Sequence, residues 1–270
     1  MPELPEVETV KVFLNNNIIN QKIFDIKVLN KKLRYEIPCD IRSAFNTSII
    51  SKISRRGKYL IFLFKNEKSL LIHLGMTGCF RISKEIMKRK HDHLMIDFGK
   101  KKLFFNDIRK FGFIKVYNSK EVLQSEHLRH IGPEPLGNDF NFEYIFNNKK
   151  NITTKSFLMN QKVIAGLGNI YCSEILYDSL ISPKKNVKNL SDLEILRIVK
   201  STKKILKIAI SKGGSSIKNF NISDEVVGYF KNNLKVYGRE NLGCKRCKNE
   251  KIKKIIQNGR SSFYCINCQL

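Results

Sequence analysis

Lys58-Tyr-Leu-Ile-Phe-Leu-Phe64 and Leu70-Leu-Ile-His-Leu74 are short runs rich in aromatic and β-branched residues. The same texture recurs in His93-Leu-Met-Ile-Asp-Phe98, Lys102-Leu-Phe-Phe105 and Phe113-Ile-Lys-Val-Tyr117, with Gly, Asn and Lys turns between the runs. Residues from about 22 to 117 therefore read as an antiparallel sandwich or barrel. Upstream, Val7, Val10, Phe13 and Leu14 recur at helical spacing from Glu6 to about Asn16. Downstream, residues 118 to about 150 read as a connector, broken by Gly132-Pro133-Glu134-Pro135-Leu136-Gly137. The pattern then turns helical. Ser191-Asp-Leu-Glu194 is a capping box, and the helix it opens runs to Gly213-Gly214. Two more helices are expected to flank Gly166-Leu-Gly-Asn-Ile170.

The 270 residues are enough for two or three domains. A hydrophobic content of 42% argues against disorder. No apolar run reaches the roughly 18 residues of a membrane span, and the acid- and proline-rich start is unlike a signal peptide. A soluble, cytoplasmic protein is expected. Lys and Arg total 50 against 24 Asp and Glu, a net charge of +26. Such a field favours a polyanion, with nucleic acid first and an anionic membrane surface second. Part of the Lys excess matches the heavy Lys, Asn and Ile use of an AT-rich genome, but that alone does not explain so few acids.

Of the seven cysteines, Cys39, Cys79 and Cys172 are scattered and read as small buried hydrophobes. The other four form Cys244-Lys-Arg-Cys247 and Cys265-Ile-Asn-Cys268, separated by residues 248–264. Each pair places two thiolates on one turn, and together they complete a tetrahedron around Zn2+ with no open position, so one structural zinc is expected. Two redox pairs, or a chance spacing, are the alternatives. Between the pairs, two alternating segments suggest a two-stranded ribbon whose turn carries Asn258-Gly259-Arg260.

The chain starts Met1-Pro2-Glu3-Leu4-Pro5-Glu6. Removal of Met1 would leave Pro2 as a free secondary amine, a nucleophile able to hold a carbon as an iminium ion. Glu3 beside it suits proton transfer on the same carbon. The same residues also suit a plain helix start. The glycines before Asn169 could open a phosphate-binding helix N-terminus or allow close packing. Arg55-Arg56-Gly57-Lys58 and His91-Asp92-His93 read by themselves as solvated surface.

Taken together, the chain resembles the formamidopyrimidine-DNA glycosylase family. The resemblance rests on Pro2-Glu-Leu-Pro-Glu6, Arg56-Gly-Lys58-Tyr-Leu, His73-Leu-Gly-Met76-Thr-Gly, Lys90-His-Asp-His93, Asp107-Ile-Arg109-Lys-Phe111-Gly, Gly132-Pro-Glu-Pro-Leu136, Gly166-Leu-Gly-Asn169-Ile-Tyr171, Val236-Tyr-Gly-Arg239 and the four-Cys ribbon. It implies an α+β fold. An N-terminal helix on a β-sandwich occupies 1–117, a connector 118–150, a helix-two-turn-helix domain 151–235 and a four-Cys zinc finger 236–270. It also implies a monomer acting on damaged double-stranded DNA, nucleoid-associated while bound, that flips oxidised purines out of the stack. Pro2, Glu3, Lys58 and Arg260 take the catalytic positions. Met76, Arg109 and Phe111 take the positions of a wedge that fills the flipped base's space, and His91, Lys150 and Asn169 other DNA-contact positions. Zn2+ falls to Cys244, Cys247, Cys265 and Cys268.

The sequence departs from the family pattern at Ile108 and Lys110, where Pro and Arg are usual, and at Asp224-Glu-Val-Val-Gly228, in the region that covers the flipped base. An endonuclease VIII-like enzyme acting on oxidised pyrimidines is the nearest alternative. A zinc-ribbon DNA-binding protein without activity is another, although it has no need of Pro2, Glu3 and Lys58 together.

Overall fold

The aromatic and branched runs pair into two four-stranded antiparallel sheets among the described residues, which in this computed structural model are 2–215 and 229–270. One sheet has the order β1 (Asp25–Val28), β6 (Asp92–Asp97), β7 (Lys102–Asn106), β5 (Cys79–Ser83). The other has β2 (Ile50–Arg56), β3 (Tyr59–Phe64), β4 (Lys68–His73), β8 (Phe113–Asn118). Alternation decides which side chains meet between them. Leu60, Phe62 and Phe64 of β3 join Leu94 and Ile96 of β6 and Leu103 and Phe105 of β7 in one buried cluster.

Helix α1 (Leu4–Ile18) adds Val7, Val10, Phe13 and Leu14 to that cluster. Each such burial contributes about 1.5–3 kcal/mol, which fixes the helix on the sandwich. Asn15 Nδ2 also donates to the Ile53 carbonyl of β2 at 3.2 Å. A short helix, α2 (Ile41–Phe45), closes the cluster with Ile41 and Phe45.

The chain divides into two compact units. The sandwich unit is Met1–Arg129 with Lys212–Tyr229, and the second is His130–Ser211 with Phe230–Leu270. The second unit holds α3 (Phe142–Asn147), α4 (Thr154–Met159), α5 (Asn169–Asp178) and α6 (Asp192–Ser211). The Ser191 capping box forms as expected: Ser191 N–H donates to Glu194 Oε2 at 2.9 Å, and Glu194 N–H to Ser191 Oγ at 3.4 Å. Residues 118–150, read as a connector, carry a 3-10 turn at Val122–Gln124 and the helix α3. Strands β9 (Lys253–Gln257) and β10 (Arg260–Tyr264) form the expected ribbon.

Burial corrects the reading of the lone cysteines: Cys172 is buried and Cys79 half-buried, but Cys39 is exposed. No helix among the described residues is long and apolar enough to cross a membrane. The Asp224–Gly228 stretch and Ser216 lie outside the described residues.

Candidate active site

Pro2 and Glu3 are both buried, immediately before the first residue of α1. Glu6, one turn in, accepts the Glu3 N–H at 2.8 Å through Oε2, which satisfies a donor the helix start leaves open. Its other oxygen accepts from Ser215 N–H at 2.7 Å and Ser215 Oγ at 3.1 Å. Gly214 must be glycine here, because φ is +75° and a Cβ would lie 2.8 Å from Glu6 Oε1. Glu6 therefore ties the segment holding Pro2 and Glu3 to the turn at Gly213–Ser215.

Lys58 occupies the tight turn between β2 and β3, where Arg56 pairs with Tyr59. Neither Arg55 nor Lys58 is the solvated base expected from sequence: Lys58 is 6% exposed, and the Arg55 side chain 10%. Arg55 Nε donates to Glu8 Oε2 of α1 at 2.7 Å, and its Nη1 to the Gly57 carbonyl at 3.0 Å. The guanidinium thus joins the turn holding Lys58 to the helix that follows Pro2. Burial raises the Glu8 carboxyl, but hydrogen bonds from Lys11 and Arg55 outweigh it and hold the group below its ordinary value.

His73 ends β4 directly opposite Tyr59, with the rings 4.9 Å apart. Burial, then the charges of Lys58, Arg34 and His127, push its imidazole down from 6.5 to about 4. It is a neutral acceptor at pH 7 and takes the Gly75 N–H at 3.1 Å through Nδ1.

Met76, Arg109 and Phe111 stand on two loops that the structure brings together. The Arg109 guanidinium lies 4.8 Å from the Phe111 ring centre, and Met76 and Phe111 line one cavity of about 570 Å³ with Arg34, His73 and Lys110. The loops interlock through backbone: a Cβ on Gly75 would fall 2.4 Å from Gly112 N. Phe111 is 45% exposed. Of the His91-Asp92-His93 stretch, read as surface, Asp92 and His93 are buried, and only His91 remains half-exposed.

In the second unit, Arg260 follows a two-residue turn in which Asn258 and Gly259 both have positive φ, the conformation tight hairpins favour. Asn169 Nδ2 donates to the Ser261 carbonyl at 3.0 Å, so Asn169 and Arg260 are brought together. Lys155 Nζ reaches the same carbonyl at 2.8 Å and Ser262 Oγ at 2.6 Å. Lys150 is exposed on a separate turn after α3.

The four cysteine sulfurs lie within 4.8 Å of one another, with Cys244–Cys268 at 3.8 Å and Cys247–Cys265 at 3.7 Å. A disulfide needs about 2.05 Å. A tetrahedral ion with sulfur at about 2.3 Å puts the sulfurs about 3.8 Å apart, so the donor set fits one metal ion. Burial raises the Cys244 thiol, but Tyr177 Oη and the backbone N–H groups of Cys247 and Arg246 outweigh it and bring it to about 6. Burial pushes Cys265 up to about 12. A bound cation is the group that would remove that proton and balance four thiolates. Inside the same unit the buried Glu174 accepts N–H groups from Lys235, Val236 and Tyr237 at 2.8, 3.0 and 2.8 Å, fastening α5 to the chain that leads into the ribbon.

Sequence reasoning missed Glu6, Glu8, Arg55, Lys155 and Glu174. Glu3-x-x-Glu6 before a helix was a readable capping signal. Glu8 also pairs locally with Lys11, but its bond to Arg55 and those of the others span distant segments.

Residues 1–114 match the family model for the formamidopyrimidine-DNA glycosylase N-terminal domain, and residues 131–221 the one for its H2TH domain. A formamidopyrimidine-DNA glycosylase of Rickettsia conorii is 41% identical over 274 residues, covering 100% of this chain and 99% of the relative. One from Legionella pneumophila is 40% identical over 273 residues, covering 100% and 98%. Among solved structures, Lactococcus lactis Fpg in complex with abasic-site DNA is similar at a TM-score of 0.91 and 36% identity, over 99% of both chains. A Lactococcus lactis mutant bound to DNA containing Fapy-dG is similar at 0.92 and 36%, again over 99% of both.

Proposed function

This chain belongs to the formamidopyrimidine-DNA glycosylase family, and from that premise we propose that it removes oxidised purines, 8-oxoguanine and formamidopyrimidines, from duplex DNA and then cuts the strand. The observation that carries the reading is the place of Pro2 and Glu3, buried at the start of α1 with Glu6 holding the backbone between them and the helix.

Once Met1 is removed, the Pro2 nitrogen attacks C1′ of the damaged nucleotide. The C1′–N glycosidic bond breaks, and the base leaves with a proton. Glu3 assists proton transfer as the sugar ring opens, leaving an iminium between Pro2 and C1′. The iminium acidifies C2′, loss of that proton expels the 3′ phosphate, and Lys58 serves as the acid associated with this elimination. Arg260 grips a phosphate and assists the second elimination. Met76, Arg109 and Phe111 fill the stack, and His91, Lys150 and Asn169 contact DNA. Flipping is required because the attacked carbon is shielded inside the duplex. Zn2+ held by Cys244, Cys247, Cys265 and Cys268 shapes the ribbon.

Borohydride trapping with an 8-oxoguanine duplex tests the amine and the lesion together. A covalent adduct that maps to Pro2 is expected. An adduct on Lys58, or trapping only with an oxidised-pyrimidine duplex, would overturn the assignment.

A further inference from the structure

Asp107 is fully buried between β7 and the loop of Arg109 and Phe111, and its carboxylate faces donors from both candidate wedge loops. Oδ1 accepts the Thr77 hydroxyl proton and the Arg109 N–H at 3.2 Å, and Oδ2 accepts the Gly112 N–H at 2.7 Å. Thr77 Oγ1 in turn accepts the Arg109 N–H at 3.0 Å. The backbone of Asp107 extends the network: its N–H donates to the His91 carbonyl at 3.1 Å, and its own carbonyl lies 3.0 Å from His93 Nε2. One residue therefore bonds the segments that carry His91, Met76 and Arg109 to Phe111.

We infer that Asp107 is the positioning residue of the wedge: its carboxylate fixes the Met76 loop and the Arg109–Phe111 loop as one preassembled insert. The inference rests on the wedge role given to those three residues above. The argument is one of donors and geometry. Three N–H or O–H groups converge on two carboxylate oxygens, and hydrogen bonds to a charged acceptor are about twice as strong as neutral ones. The loop needs such a hold, because Ile108 stands where a proline would stiffen it and Lys110 has a φ of +58°, a conformation side chains resist. Insertion into a base stack must offset a few kcal/mol of unstacking, and a floppy wedge would add its own ordering cost.

The test compares Asp107→Asn with wild type in single-turnover excision from an 8-oxoguanine duplex and in cutting at a preformed abasic site. A 2-aminopurine beside the lesion reports unstacking. The substitution keeps the shape of the side chain but presents an amide NH2 to one set of donors. Excision and the fluorescence rise should slow by about 10- to 100-fold, the weight of a charged hydrogen bond or two. Abasic cutting should fall far less, because there is no base to replace. Equal losses on both substrates, or no loss on either, would overturn the inference. Should Asp107→Asn not fold, Thr77→Val and Thr77→Ser decide it. Val should impair excision selectively and Ser should restore it; equal behaviour of the two overturns it. A wild type inert on the lesion duplex removes the glycosylase reading and this inference with it, whereas an active wild type beside an unimpaired variant removes this inference alone.

Discussion

Met76 and Phe111 rise from a sandwich whose core draws apolar residues from both sheets and from α1. The Asn258-Gly259-Arg260 turn caps a ribbon whose buried cluster is Tyr177, Val236, Cys244, Ile252, Phe263 and Cys265. Each carries an exposed side chain on a tight loop, Phe111 on one and Arg260 on the other, yet the support differs in kind. The sandwich loops are held by interlocked glycines and a buried carboxylate, above a large core drawn from both sheets and α1. The ribbon has a much smaller apolar cluster, and two of its six buried residues are Cys244 and Cys265 of the four-cysteine set. A loop on a large core can be held by geometry, whereas a loop on a small one needs a bound ion.

The sharpest way to break the comparison is to remove the metal. Cys265→Ser, or a strong chelator, should unfold the ribbon and leave the sandwich intact, because structural metal binding supplies about 10–16 kcal/mol to units of this kind. Hydrogen exchange should show protection lost in β9 and β10 and kept in β3 and β4. Equal loss in both regions, or none, would show that the ion does not separate them.

Next in size is Gly75→Ala, which attacks the sandwich loops where no ion can help. A Cβ there meets Gly112 N at 2.4 Å and the Phe111 carbonyl carbon at 2.5 Å, at a φ of +61°. Backbone atoms on both sides cannot swing away, so the cost should exceed about 3 kcal/mol in denaturant unfolding. A cost below about 1 kcal/mol would mean that the two loops are not interlocked.

Why the two supports differ in legibility follows from sequence distance. The metal site is two local patterns, Cys244 to Cys247 and Cys265 to Cys268, so spacing alone exposed it. The strands were equally plain from their aromatic and branched runs, as were the capping box at Ser191 and the Pro2-Glu3 start. Asp107 depends on Thr77, 30 residues away, and Lys155 on Ser262, 107 residues away. A buried acid or base whose partner lies that far off looks like any surface charge until the chain is folded. That is also why Arg55 and Asp92 were read as solvated. Asp92 in fact accepts from the Arg81 guanidinium at 2.8 Å, with Arg81 lying over the Phe104 ring.

Acid should distinguish the two regions again, with a smaller effect. His73 has its proton-binding value pushed down to about 4, below the ordinary 6.5. Above pH 6.5 the imidazole is neutral in folded and unfolded chains, and its contribution is complete. As pH falls from 6.5 towards 4 the unfolded chain gains the proton first, so stability is lost across that window, on the order of 3 kcal/mol. Thermal unfolding against pH should show this slope in wild type and a flatter one in His73→Phe. Identical slopes would place the effect elsewhere.

The smallest effect belongs to the ribbon turn. Arg260→Ala should leave the fold unchanged and lower the salt dependence of lesion-duplex affinity by about one unit in the log–log slope, the share of one phosphate contact. An unchanged slope would leave the ribbon turn without a contact for its exposed base.

Glu6 and Ser215 raise a question of timing. The carboxylate that caps the first helix takes two of its bonds from a residue 209 positions later. A ribosome adding 5–20 residues per second needs roughly 10–40 s to cover that interval. During it the sandwich strands, complete by Asn118, can pair and bury their core before the two Ser215 bonds to Glu6 can form. Between the two lie the four α-helices of the second unit, α3 through α6. The segment that holds Pro2 and Glu3 therefore takes these two bonds late in biosynthesis, although it is made 209 residues before their donor.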